Sequence, residues 1–116
     1  QVPSESMYPT IKIGDRIMVL RIPRTNSLKR GDIVVFNSKE LKEVLVKRLM
    51  GLPGDEITID ENGNVAINGR LVEEPYVLKK DGSVAKTFKV PEGSFFFMGD
   101  NRPVSWDSRK WEQPYI

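Results

Sequence analysis

Two serines near the start of the chain are the first residues with catalytic potential. Ser4 and Ser6 lie between Pro3 and Pro9, and each proline disfavours helix for the residue before it. The segment is therefore expected to be extended, with both hydroxyls on the same side of the chain. Such a pair can supply a nucleophile and a hydrogen-bond donor. A solvated, serine-rich terminal segment has the same composition, so this pattern alone leaves both interpretations open.

A lysine inside an apolar strand pattern is the second candidate. Residues 43–50 alternate so that Leu45, Lys47 and Leu49 share one face. If that face is buried, desolvation lowers the pKa of the lysine. A base that works near neutral pH needs a fall of about 3 units from about 10.4, which corresponds to about 4 kcal/mol. The alternative is an edge-strand lysine whose ammonium stays in water and discourages aggregation.

A polar loop, residues 99–109, directly follows an apolar strand pattern. Four of its residues can form charge pairs: Asp100, Arg102, Asp107 and Arg109. Ser105 can form a hydrogen bond with a buried amine. Functional sites often lie in loops with converging polar groups on a β scaffold, although a purely structural loop would contain the same residue types.

The chain contains no histidine and no cysteine. A Ser-His-Asp triad, a thiol nucleophile and a metal site with histidine or cysteine ligands are therefore excluded within it. Any serine hydrolase chemistry needs another base, and no cofactor is expected. The net charge of +2 is small and its lysines and arginines are interspersed, which argues against a nucleic-acid partner.

Short strand patterns separated by turn residues indicate the architecture. Alternating or apolar runs predict strands at residues 15–20, 31–36, 43–50, 56–60, 64–68, 86–90 and 94–98. Asn62-Gly63 and Asn68-Gly69 are typical hairpin turns, and residues 38–44 have a weak helical tendency. We predict a mainly β fold, a barrel or sandwich, formed by residues 1–116 as a single domain. Residues 60–88 would form a small hairpin lobe within it.

The chain has no run of about 18 apolar residues, so no segment of the given sequence is expected to span a membrane. It begins at Gln1 rather than at methionine. We interpret it as a fragment that a membrane anchor can precede.

Four segments, taken together and in order, resemble the bacterial type I signal peptidases, which are Ser-Lys enzymes that remove signal peptides from exported proteins. The segments are residues 3–10 (PSESMYPT), 30–36 (RGDIVVF), 46–55 (VKRLMGLPGD) and 98–109 (MGDNRPVSWDSR). The resemblance implies an antiparallel β core with a variable β lobe, here short. It also implies a place at the bacterial cytoplasmic membrane, with the catalytic domain on the extracytoplasmic side and against the lipid surface.

The same resemblance assigns roles to individual residues. Ser6 would be the nucleophile and Lys47 the general base, while Ser4 and the Ser6 N–H would form the oxyanion hole. Ser105 would orient the base. Asp107 and Arg109 would be a salt-bridged pair that braces the site.

The substrate implied by this family is the signal peptide of a preprotein, bound as an extended chain and cleaved after a small-x-small motif such as Ala-x-Ala. Four apolar residues near Ser6 or Lys47 in the sequence are candidates for its pockets: Val2, Met7, Ile11 and Val46. Two alternatives remain: a self-cleaving repressor-type Ser-Lys protease, and a non-catalytic, signal-peptidase-like assembly factor for surface structures.

Overall fold

The computed structural model of the chain describes residue 7, residues 28–38, residues 43–111 and residues 114–115. These residues contain seven β-strands and no helix. The strands are β1 (Ile33–Ser38), β2 (Glu43–Gly51), β3 (Glu56–Ile59), β4 (Val65–Ile67), β5 (Arg70–Leu71), β6 (Lys86–Lys89) and β7 (Phe96–Met98). The predicted strand at residues 15–20 lies outside the described residues.

The strands form two antiparallel sheets. The first sheet has the order β1-β2-β7 and the second the order β5-β4-β3-β6. The predicted mainly β fold is therefore confirmed. The helical tendency predicted for residues 38–44 is wrong at Ser38 and Glu43. These two residues pair with each other as the last residue of β1 and the first residue of β2. There the strand ladder supplies the backbone hydrogen bonds, so the local tendency has no effect.

The hairpin between β4 and β5 shows how a turn sequence fixes the second sheet. Asn68 and Gly69 both have positive φ, at 53° and 83°, as the two-residue turn predicted from Asn-Gly requires. Asn68 Oδ1 accepts a hydrogen bond from the N–H of Glu56 at 2.8 Å, and Asn68 Nδ2 donates one to Asp55 Oδ1 at 3.0 Å. This turn is therefore bound to the start of β3.

Two hydrophobic clusters lie on opposite faces of the first sheet. The central core contains residues from both sheets: Met50, Ile57, Ile59, Val65, Phe88, Val90, Phe96 and Met98. The lateral core contains Leu45, Leu49, Phe97 and Trp111. Strand alternation places Leu49 and Met50 of β2 on different sides, so that they are buried in the lateral and the central core.

An ion pair joins the segment before β1 to the turn before β3. Arg30 Nε and Nη2 donate to the two carboxylate oxygens of Asp55 at 2.8 and 2.7 Å. Burial alone would raise the pKa of Asp55. The hydrogen bonds from Arg30, from the Leu52 N–H and from Asn68 outweigh burial and lower that pKa below its ordinary value. The carboxylate is therefore stabilised in its charged form.

Candidate active site

Lys47 lies in the middle of β2 with its side chain buried. Its exposed fraction is 3%, and Leu45 and Leu49 on the same face are also buried. The strand alternation predicted from the sequence is therefore confirmed at these positions. The Nζ atom lies 3.2 Å from Ser105 Oγ, within hydrogen-bonding distance. Strand β2 thus presents a buried amine to a serine 58 residues further along the chain.

Ser105 is fully buried in the 99–109 loop that follows β7. Its N–H donates to the carbonyl of Asn101 at 3.0 Å, and its own carbonyl accepts from Arg109 Nη2 at 3.4 Å. These bonds hold the backbone of Ser105 in a tight turn. The hydroxyl is therefore presented to Lys47 by a well-connected loop.

Asp107 and Arg109 form a buried ion pair at the end of the same loop. Arg109 Nε and Nη2 donate to the two carboxylate oxygens of Asp107 at 2.8 and 2.9 Å. Asp107 Oδ2 also accepts the N–H of Gly99 at 2.9 Å. The pair therefore connects the last residues of the loop to its first.

A second ion pair connects the loop to the strand that carries the lysine. Arg48, the residue after Lys47, donates from Nε and Nη2 to Asp100 at 2.8 and 2.7 Å. The hydrogen bonds to Asp100 are the main reason why the pKa of Arg48 is raised. Its guanidinium carbon also lies 3.8 Å from the centre of the Tyr76 ring, a cation–π geometry. Two-point binding of this kind fixes orientation as well as distance.

The third ion pair has a partner that the sequence did not indicate. Arg102 donates to Glu74 from Nη1 and Nη2 at 3.2 and 2.5 Å. Of the four charged residues in the loop, Asp107 and Arg109 pair with each other. Asp100 and Arg102 instead pair with residues elsewhere. No local pattern around Glu74 distinguishes it from the exposed Glu73 beside it.

The remaining predicted site residues are only partly described. Ser4, Ser6, Val2 and Ile11 lie outside the described residues. Met7 is buried, and its Sδ accepts the N–H of Asp100 at 3.4 Å.

Val46, another predicted pocket residue, is half-buried in β2 next to Lys47. Strand alternation places the two side chains on opposite faces. The structure therefore brings together Lys47 and Ser105, with Met7 against the same loop. The described residues form no helix, so they contain no candidate membrane-spanning helix.

Fold and site together define an antiparallel β protein with a buried, hydrogen-bonded lysine. Comparison with known proteins identifies the family. Residues 1–114 match the family model described as signal peptidase, peptidase S26, and the chain belongs to this family. The resemblance inferred from the four sequence segments is thereby confirmed.

Curated relatives from several bacteria are similar in sequence to this chain. A probable signal peptidase I-2 from Synechocystis sp. is 38% identical over 117 residues, covering 95% of this chain and 53% of the relative. Signal peptidase I from Leptolyngbya laminosa is 40% identical over 119 residues, covering 95% of this chain and 58% of the relative. Signal peptidase I T from Bacillus subtilis is 40% identical over 119 residues, covering 93% of this chain and 61% of the relative. The chain thus spans less than two-thirds of the length of these relatives.

A solved structure confirms the fold. The crystal structure of a signal peptidase I from Enterococcus faecalis V583 matches with a TM-score of 0.63 and 31% sequence identity. The match covers 77% of this chain and 88% of that one. The predicted signal-peptidase-like β core is therefore correct.

Proposed function

We propose that this chain is the catalytic part of a signal peptidase, a serine endopeptidase with Ser6 as nucleophile and Lys47 as general base. The observation that carries the proposal is the buried amine of Lys47, hydrogen-bonded to Ser105 within a signal peptidase fold. A general base must be neutral, and burial favours the neutral amine because an ammonium loses hydration when it leaves water. The absence of histidine leaves lysine as the base.

The link to the serine segment comes from Met7. This residue follows Ser6 in the sequence, and its sulfur contacts the backbone N–H of Asp100. Asp100 belongs to the loop that carries Ser105, so Met7 is attached to that loop. This contact supports the assignment of Ser6 as the partner of Lys47.

The proposed reaction proceeds through an acyl-enzyme. Neutral Lys47 accepts the proton of Ser6 Oγ as the oxygen attacks the scissile carbonyl, and the resulting ammonium then donates a proton to the leaving amine. The Ser4 hydroxyl and the Ser6 N–H stabilise the oxyanion, and one such donor is typically worth about 3–4 kcal/mol. Lys47 finally activates a water molecule that releases the acyl group. Ser105 holds the lysine in line throughout, and the Asp107–Arg109 pair supports its loop.

The proposed substrate is the signal peptide of an exported preprotein, cleaved after a small-x-small motif such as Ala-x-Ala. Several signal peptidases are among the relatives, and this function requires access to a membrane-bound substrate. We therefore propose that the domain works at the lipid surface on the extracytoplasmic side of the bacterial cytoplasmic membrane. Val2, Met7, Ile11 and Val46 remain the proposed pocket residues.

Cleavage of an Ala-x-Ala preprotein in detergent or lipid tests this function. Ser6→Ala and Lys47→Ala should each lower kcat by about 10³-fold or more, because each removes a reacting group. Lys89→Ala is the matched control, since Lys89 is an exposed lysine in β6. Undiminished cleavage by both site variants would refute the mechanism. A wild-type chain that cleaves only itself would favour the repressor-type protease, and binding without cleavage would favour an assembly factor.

A further inference from the structure

The loop between β5 and β6, residues 72–85, contacts the candidate site from the second sheet. Three of its side chains each face an arginine that flanks the site: Glu74 faces Arg102, Tyr76 faces Arg48, and Asp81 faces Arg109. These arginines belong to β2 and to the 99–109 loop. The β5–β6 loop therefore packs against the segment that carries Ser105, although it lies far from that segment in the sequence.

Of these three contacts, the one between Glu74 and Arg102 is fully enclosed. Both side chains are 1% exposed, and the carboxylate receives both Nη atoms of the arginine. Arg102 Nε simultaneously donates to the carbonyl of Gly99 at 2.7 Å. A buried charge that loses its partner is strongly destabilised, so the position of Arg102 depends on the carboxylate.

A short chain of hydrogen bonds leads from Arg102 to the lysine. The N–H of Arg102 donates to the Asp100 carbonyl at 3.0 Å, and its carbonyl accepts from Arg109 at 3.0 Å. Arg109 also donates to the carbonyl of Ser105, whose hydroxyl lies 3.2 Å from Lys47 Nζ. A shift of Arg102 would therefore move the turn that carries Ser105.

We propose that Glu74 is a positioning residue for the peptidase reaction. Through Arg102 it fixes the turn of residues 99–105, and that turn presents Ser105 to Lys47. This inference rests on the proposed function, because the placement of Lys47 affects catalysis only if the lysine is the base. The proposal gives the second sheet a part in catalysis, which acts through Arg102 and the turn that carries Ser105.

The first test compares Glu74→Gln, which keeps the shape of the side chain and removes its charge, with Glu73→Gln at the exposed neighbour. For Glu74→Gln we expect kcat to fall by about tenfold or more with KM within about twofold. The acid limb of the pH–kcat profile should also move by about half a unit or more, because the surroundings of the base change. Kinetics and a pH profile that match those of Glu73→Gln would overturn the proposal.

A second variant covers the case in which Glu74→Gln does not fold. Glu74→Gln combined with Arg102→Met leaves no uncompensated charge in the interior, so the chain should fold. If Glu74 and Arg102 position the turn, kcat stays about tenfold or more below that of the wild type. Recovery of stability together with wild-type kcat would show that Glu74 only neutralises Arg102, and this outcome would overturn the proposal.

A crystal structure of Glu74→Gln tests the inference without relying on activity. We expect the separation of Lys47 Nζ and Ser105 Oγ to exceed about 3.5 Å, the outer limit of a hydrogen bond. A separation that stays at 3.2 Å would overturn the proposal. Failure of the proposed function would appear elsewhere, as wild-type cleavage by Lys47→Ala.

Discussion

Two buried serines in one loop allow the role of a single hydroxyl to be separated from its contribution to folding. Ser105 and Ser108 are both fully buried. Ser105 Oγ lies beside Lys47, whereas Ser108 Oγ accepts the N–H of Phe97 at 2.9 Å. The first hydroxyl thus faces the candidate base, and the second completes the outer edge of β7.

We expect the two alanine variants to differ in kind. Ser105→Ala should lower kcat by about 10–100-fold, because loss of one orienting hydrogen bond costs about 1–3 kcal/mol. Ser108→Ala should lower the free energy of unfolding by a similar amount and leave kcat unchanged, because the Phe97 N–H loses its acceptor. Peptide cleavage and urea unfolding of both variants measure this. Equal effects of the two substitutions on kcat would argue against a special role for Ser105.

At the level of elements, the strands were predictable because their signals are local. Alternating side chains and the Asn68-Gly69 turn are read within a few residues. The same alternation places Lys47 on one face of β2 with two leucines, although the sequence left open whether that face is buried. The pairing of distant charges is different. Arg48 and Asp100 are 52 residues apart, and Glu74 and Arg102 are 28 apart. Which loop lies beside which depends on packing of the whole chain, and no local pattern carries that information.

The ion pair between Arg30 and Asp55 connects elements and has a defined pH dependence. The folded state lowers the pKa of Asp55, so this carboxylate stabilises the fold above its unfolded pKa of about 3.9. That contribution is lost as the pH falls through the lower, folded pKa. The Arg30 side chain is 47% exposed, so screening by water limits the contribution of the pair.

Asp55→Asn should therefore lower the free energy of unfolding by about 2 kcal/mol at pH 7. The difference from the wild type should persist down to about pH 4 and shrink below it, as the wild-type carboxyl becomes protonated. Urea unfolding from pH 7 to pH 2.5 measures this, with Glu56→Gln on the exposed face of β3 as control. A gap that does not narrow in acid would mean that the charge of Asp55 is not what stabilises the turn.

For the whole molecule, the central core decides whether the two sheets behave as one unit. Met50, Phe96 and Met98 come from the first sheet, and Ile57 and Phe88 come from the second. A shared core of this kind couples the unfolding of both sheets. We therefore propose that residues 1–116 form a single domain, in which the hairpin region at residues 60–88 is not an independent unit.

A conservative change in the second sheet should then be detected by a probe in the first. Ile57→Val removes one buried methyl group and should cost about 1 kcal/mol. Trp111 lies in the lateral core of the first sheet, and in a Trp106→Phe background its fluorescence reports on that core. The urea midpoint of this signal should fall by about 0.5–1 M with an unchanged slope. Thr58→Ser, on the exposed face of β3, is the control: it also removes one methyl group but keeps the hydroxyl that lies 3.2 Å from Thr87 Oγ1, and it should leave the midpoint almost unchanged. If the Trp111 midpoint stays fixed while circular dichroism detects earlier unfolding, the sheets are separate units. The contacts of Glu74 with the site could then be lost without unfolding the strand that carries Lys47.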